Sequence, residues 1–215
     1  MADYHCRSLR RAVNAFLDPC PAPSAPAPGP AAPVFLIGMM GAGKTTIGRA
    51  LARALGRRFV DVDQLIEERC GVRIPTIFEL EGEAGFRRRE TGAIDECSRM
   101  EGVVLATGGG AVLSAENRRL LAQRGIVIYL RARAEELYQR TRHDRNRPLL
   151  QTADPLGRIV ELLAQREPLY EEVADVVVDT GRSSVPRLVQ RILPLLQQCG
   201  KPVVAAAELP PLENP

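Results

Sequence analysis

Residues 34–55 read VFLIGMMGAGKTTIGRALARAL. An apolar run, Val34–Ile37, leads into Gly38-x4-Gly43-Lys44-Thr45, and a helical pattern, Thr45–Leu55, follows. Strand, glycine loop and helix in this order are the context in which such a loop cradles phosphate. Glycine lets the backbone curl so that successive N–H groups converge on phosphate oxygens. The helix N-terminus adds favourable positive potential. Gly41, Ala42, Gly43 and Thr46 are the expected backbone and helix-start contacts to a nucleoside triphosphate. Lys44 would reach its β- and γ-phosphates, and the Thr45 hydroxyl would ligate Mg²⁺.

Outward from that loop, short apolar runs alternate with helical patterns. The runs are Val34–Ile37, Arg58–Val62, Val103–Ala106, Ile126–Leu130 and Val176–Val178. The helical stretches are Thr45–Leu55, Glu83–Arg99, Ala115–Arg124, Ala134–Arg142, Pro155–Tyr170 and Val185–Gln198. The runs are β-branched without clean alternation, as strands buried on both faces should be. The pattern predicts an α/β fold with a parallel sheet and right-handed crossovers. Ligands of such sheets sit beyond the carboxyl ends of the strands, where every motif below falls.

The chain's 215 residues fit one domain with extensions. Its 45% apolar and 26% charged residues are ordinary globular composition, which excludes collagen-like, coiled-coil and wholly disordered classes. No apolar run reaches the length of a membrane span. A net charge of +3 does not imply a nucleic-acid partner. Of the 29 basic residues only Lys44 and Lys201 are lysine, so the loop lysine stands out. Five scattered cysteines without a C-x-x-C, and two distant histidines, read as reduced thiols and no zinc site. Residues 18–33 hold seven of the seventeen prolines and read as a linker without a packed core. Residues 1–32 are therefore an N-terminal extension, 33–199 the folded unit, and 200–215 a tail.

The acceptor of the phosphate is the next question. A GTPase would need N-K-x-D and an ABC-type ATPase a long signature, and neither is present. In FVDVDQLIEE, Asp61 and Asp63 are two apart and share one side of an extended strand. One would hold Mg²⁺ water and the other accept a hydrogen bond from a hydroxyl nucleophile; alternatively both cap the next helix. In EAGFRRRE, Arg87 and Glu90 are spaced to pair on one helix face. Gly108, Gly109 and Gly110 follow a strand and suggest close backbone approach to a ligand. The charged stretch RTRHDRNRPLLQTADP reads as a lid, with Arg147 able to swing onto the phosphates, and Arg166 lies late in a helix.

Together the strings GMMGAGKTTIGRALA, FVDVDQLIE, IFELEGEAGFRRRE, VLATGGGAV, RPLL and REPLYEEVAD resemble the shikimate kinase family over residues 33–198. The phosphate loop is widely shared; the combination with D-x-D, G-F-R, three glycines, R-P-L-L and R-x-P-L-Y is specific. The resemblance implies a P-loop kinase of the nucleoside-monophosphate-kinase type, with a five-stranded parallel sheet of order 2-3-1-4-5. It implies transfer of the ATP γ-phosphate to the 3-hydroxyl of shikimate in aromatic amino-acid biosynthesis, by a cytoplasmic monomer using Mg²⁺, without nucleic-acid or membrane partners. Carried over by position, Lys44 and Arg147 act on the phosphates, Thr45 and, through water, Asp61 near the metal. Asp63 meets the substrate hydroxyls, and Arg87 and Arg166 clamp its carboxylate. Gly109 with Gly108 and Gly110 contacts the substrate through backbone, and Arg140 lies against adenine. The loop after Asp179, with Arg182 and Pro186, is the variable part. A gluconate-kinase-like enzyme of the same fold and a non-catalytic nucleotide-binding regulator are the competing expectations.

Overall fold

The computed structural model describes residues 32–142, 150 and 152–199. The expectations for residues 1–31, for Arg147 and its stretch 143–149, and for the tail 200–215 lie outside the described residues. The elements run β1 (Val34–Ile37), α1 (Lys44–Leu55), β2 (Arg58–Asp61), α2 (Val62–Cys70), α3 (Ile74–Cys97), β3 (Val103–Ala106), α4 (Ala115–Arg124), β4 (Ile126–Arg131), α5 (Ala134–Thr141), α6 (Pro155–Val173), β5 (Val176–Asp179) and α7 (Val185–Gln198). A 3₁₀ turn at Ala111–Leu113 joins β3 to α4.

All strand pairs are parallel, in the order β2-β3-β1-β4-β5 expected from the resemblance. Burial follows position in that order. All four residues of β1 and of β3 are buried, whereas the edge strands β2 and β5 are partly exposed. The inner strands therefore read as unbroken apolar runs. Because β1 and β3 are neighbours, the loops leaving their carboxyl ends lie side by side. Thr107 extends the pairing, its N–H donating to Leu36 O at 3.1 Å. The core is aliphatic, with Phe35, Tyr129 and Tyr170 its large fully buried rings.

Helix α1 buries Ile47, Gly48, Leu51 and Ala52 along one face. Gly48 sets how closely it approaches the sheet. A Cβ there would meet the Phe59 ring at 2.5 Å and Leu36 Cδ1 at 2.9 Å. Gly48→Val is expected to destabilise the fold by about 1–3 kcal/mol through overpacking, read as a lowered thermal midpoint. An unchanged midpoint would mean that α1 moves out without loss.

Two expectations are corrected. The second strand does not run to Val62: it stops at Asp61, and helix α2 starts at Val62. Asp61 is the N-cap of α2, its Oδ1 accepting from the backbone N–H of Asp63 at 3.1 Å and of Gln64 at 3.4 Å. Aspartate at a strand end favours this cap, and Val62 and Ile66, one helical turn apart, bury the new helix. Asp61 and Asp63 are thus cap and first-turn helix residue, not two residues on one side of a strand. The third helix does not begin at Glu83 either. It begins at Ile74, with Pro75 in its first turn, and breaks at Gly82 (φ 68°, ψ 179°). Glu83 is where it restarts after the break. Elsewhere the bounds shift by a few residues; α6, for instance, continues through Pro168 to Val173. Among the described residues Cys70 and Cys97 are free thiols.

Candidate active site

The phosphate loop leaves β1 at Gly38 and enters α1 through Gly43, whose φ of 94° is a left-handed conformation that favours glycine. Ala42 is buried, and its N–H donates to Met39 O at 3.1 Å, which tightens the turn. Lys44 lies back across the loop, Nζ donating to Gly38 O at 2.8 Å and Met39 O at 2.9 Å. Thr45 Oγ1 donates to Asp61 Oδ2 at 2.7 Å, so the first turn of α1 and the end of β2 form one polar pair. Thr46 is exposed at the helix start.

Arg140, on α5, closes the other side of this loop. Its Nη1 donates to Gly41 O at 3.2 Å and Thr180 Oγ1 at 3.1 Å, and its Nη2 donates to Gly181 O. One guanidinium therefore joins the phosphate loop, α5 and the loop after β5. Arg182 on that last loop and Pro186 in the first turn of α7 are exposed.

The glycine turn after β3 lies against the phosphate loop: a Cβ on Gly109 would sit 3.2 Å from Met40 N. Each of the three glycines faces a different charged group. A Cβ on Gly108 would collide with Glu90 Oε1 and lie 2.9 Å from Asp63 Oδ1. A Cβ on Gly110 would lie 2.6 Å from Arg87 Nη1. The Gly109 carbonyl accepts from Arg166 Nη1 at 3.2 Å and from the Tyr170 hydroxyl. The absence of side chains on this turn is what lets Asp63, Glu90, Arg87 and Arg166 close in on it. They come from α2, α3 and α6, far apart in sequence.

Arg87 pairs with Glu90 as its spacing predicts, Nη1 to Oε2 at 2.7 Å, and its Nη2 bonds Glu83 Oε1 at 2.9 Å. Glu90 is 0% exposed and Arg87 is 21% exposed. Burial pushes the Glu90 carboxyl above the ordinary range, against the pull of Arg87. Burial lowers Arg87, but the charge and hydrogen bond of Glu90, with Glu83, outweigh it and hold the guanidinium more firmly protonated. Arg166 is only 4% exposed. Its Nε and Glu90 Oε1 are buried without hydrogen-bond partners among the described residues. Two guanidinium groups facing a turn of bare backbone, one with a donor unspent, suit a small carboxylate.

Sequence reasoning gave Glu90 only the task of pairing with Arg87, although it also lies against Gly108. It gave Tyr170 no task at all. Tyr170 is one helical turn after Arg166, and that i, i+4 spacing is the signal that both reach the same place. Among the described residues no cluster of three or more His, Cys, Asp or Glu could hold a metal. Mg²⁺ bound to a nucleotide needs only one or two protein ligands plus phosphates, and the Thr45–Asp61 pair fits that requirement.

The shikimate kinase family model matches residues 40–197, more than half of the chain. A shikimate kinase of Bordetella avium is 64% identical over 165 residues, 77% of this chain and 79% of that protein. The solved shikimate kinase of Acinetobacter baumannii in complex with shikimate superposes with a TM-score of 0.77 at 49% identity, covering 79% of this chain and 95% of that one. A gluconokinase from Sinorhizobium meliloti shares the fold at a TM-score of 0.54 and 20% identity, covering 79% of this chain and 93% of that one. At that identity the likeness extends to the fold alone and does not favour gluconate as acceptor. On the family match and the high identity of its relatives, the chain belongs to the shikimate kinase family.

Proposed function

We propose that this kinase transfers the γ-phosphate of ATP to the 3-hydroxyl of shikimate, giving shikimate 3-phosphate and ADP on the route to chorismate. The observation that carries the reading is the convergence of Arg87, Arg166 and Asp63 on the Gly108–Gly110 turn beside the phosphate loop. Shikimate has one carboxylate and three hydroxyls, so the carboxylate is its natural handle. Arg87 and Arg166 would clamp it through charge-assisted bonds. Asp63 would accept a hydrogen bond from the 3-hydroxyl. As the oxygen–phosphorus bond forms and the β–γ bridging bond breaks, Asp63 takes the hydroxyl proton. The backbone of Gly108, Gly109 and Gly110 would hold the ring against the phosphate loop.

Amides of Gly41, Ala42 and Gly43, with Thr46, would grip the triphosphate, and Arg140 would lie against adenine. Lys44 would leave the carbonyls of Gly38 and Met39 for the phosphates. Thr45 and, through water, Asp61 would hold Mg²⁺, which would neutralise charge on the phosphates. Arg147 would add a further cation from the lid. Phosphoryl transfer has a loose transition state, so the protein acts by positioning and by electrostatics. That is consistent with a site built without histidine. The working unit would be residues 33–199, with 1–32 and 200–215 as appendages. It would act as a cytoplasmic monomer without nucleic-acid or membrane partners. No helix among the described residues is long and apolar enough to cross a membrane.

A coupled ADP-release assay across shikimate, gluconate and nucleoside monophosphates tests the assignment. ADP release is expected with shikimate, with Mg²⁺ present, and is expected to stop on chelation. ATP hydrolysis without acceptor is expected to be slow, because a lid that excludes water closes on bound substrate. Turnover of gluconate or a nucleotide with none of shikimate would overturn the reading. Equal ATPase rates with and without shikimate would overturn the gating.

A further inference from the structure

The three-glycine turn has little conformational stiffness of its own, yet two side chains are to be aimed from it and around it. What fixes it is on α6. Tyr170 is fully buried, and its hydroxyl donates to Gly109 O. Burial pushes its phenol well above the ordinary range, which keeps the hydroxyl a donor. Its ring stacks on Tyr129 of β4, centroids 4.9 Å apart and planes 19° apart. Tyr129 itself is held between Ile37 and Val177 in the sheet register. The hydroxyl of Tyr170 is therefore tied, through two stacked rings, to the middle of the sheet. Arg166, one turn earlier, donates to the same carbonyl.

A trans peptide directs its N–H opposite to its C=O. With the Gly109 carbonyl held toward α6, the Gly110 N–H points away from α6. Gly110 is the residue that lies against Arg87. The rotation of this single peptide thus decides where Gly110 presents its amide. It also decides which of its donors Arg166 spends on the turn.

We infer that Tyr170 is a positioning residue for the acceptor: through the Gly109 carbonyl it locks the glycine turn and Arg166 in the arrangement that receives the substrate carboxylate. The inference rests on the proposed shikimate reading. Tyr170 does not itself touch substrate. The sheet also supplies an internal control. Tyr129 is equally buried and shares the stack, but the side chains that bond the Gly109 carbonyl are those of Tyr170 and Arg166, and the Tyr129 hydroxyl lies by Glu167 instead.

The test compares Tyr170→Phe, Tyr129→Phe and the wild type, each at full length, by steady-state kinetics with both substrates varied and by thermal melting. Each variant loses one buried hydroxyl and keeps the stacked ring. Tyr170→Phe leaves Gly109 O with Arg166 as its remaining donor, so one of its two hydrogen bonds is lost and the carbonyl stays satisfied. The expected result is a shikimate KM raised about 3- to 10-fold, with the ATP KM within two-fold and Tyr129→Phe within two-fold of wild type for both substrates. A merely structural role would lower the melting point and the active fraction without separating the two KM values. The inference is overturned if Tyr170→Phe leaves the shikimate KM within two-fold of wild type, or if both KM values rise together. Should the wild type itself not phosphorylate shikimate, the shikimate reading falls with it; wild-type turnover with an unaffected Tyr170→Phe removes the inference alone.

Discussion

Asp63→Asn is expected to lower kcat for shikimate phosphorylation by about 10²–10⁴-fold, the range for loss of a positioned proton acceptor. The substitution keeps the shape of the side chain. The backbone of residue 63 is held by its N–H to Asp61 Oδ1, a bond that does not involve the altered group. Asparagine would therefore occupy the same place beside Gly108, where a Cβ would lie 2.9 Å from Oδ1. What it loses is the negative charge and the capacity to take a proton. ATP affinity should change little, because the Thr45–Asp61 pair that fits the metal is untouched. Shikimate affinity should fall by no more than a lost hydrogen bond. A kcat within ten-fold of wild type would remove Asp63 from the chemistry. A parallel loss of ATP affinity would show that the carboxylate acts on the metal side instead.

Asp61 and Asp63 also show what the sequence can and cannot express. The apolar runs of β1 and β3 were readable because both strands are buried on both faces, and burial of that kind leaves no polar residue to interrupt the run. Helices α4 and α7 fall on their expected bounds, α4 with Ser114 as its N-cap. The start of α2 was not readable. VDVD, residues 60–63, alternates as a strand would and carries straight across the boundary, so only the capping geometry of Asp61 tells that the chain has already turned. The first half of α3 was hidden by Pro75 and Gly82, which punctuate like a loop; proline is in fact tolerated in a first helical turn, and glycine breaks the helix without ending it.

At the site, the i, i+3 spacing of Arg87 and Glu90 was legible because helix geometry is local. The meeting of Asp63, Glu90 and Gly108 was not, since it depends on three elements brought together by the sheet order. Tyr170 was hardest of all. Its partner is a backbone carbonyl 61 residues away, and a carbonyl carries no residue type to read.

Arg87→Ala is expected to weaken shikimate binding by about 2–5 kcal/mol, roughly 30-fold to several thousand-fold, as for one side of a desolvated charge pair. ATP affinity should change little, since Arg87 touches none of the phosphate loop. The same variant carries a second signature that a surface arginine would not. Glu90 is fully buried, and its Oε1 already has no hydrogen-bond partner among the described residues. Burial raises its carboxyl, and Arg87 is the first of the influences holding it down. Removing Arg87 therefore raises it further. A carboxyl whose folded value exceeds its unfolded value binds more proton when folded. Stability then falls as pH rises from the unfolded range near 4.3 through the folded value. Arg87→Ala should consequently lose more stability, relative to wild type, at pH 8 than at pH 5. Glu90→Gln added to it should abolish that difference, because no charge is left to bury. Unchanged shikimate affinity in a titration would remove Arg87 from the substrate site. A pH-independent stability loss would mean that Glu90 finds another cation when Arg87 is gone, and Arg166, whose charge already acts on it, is the group placed to do so.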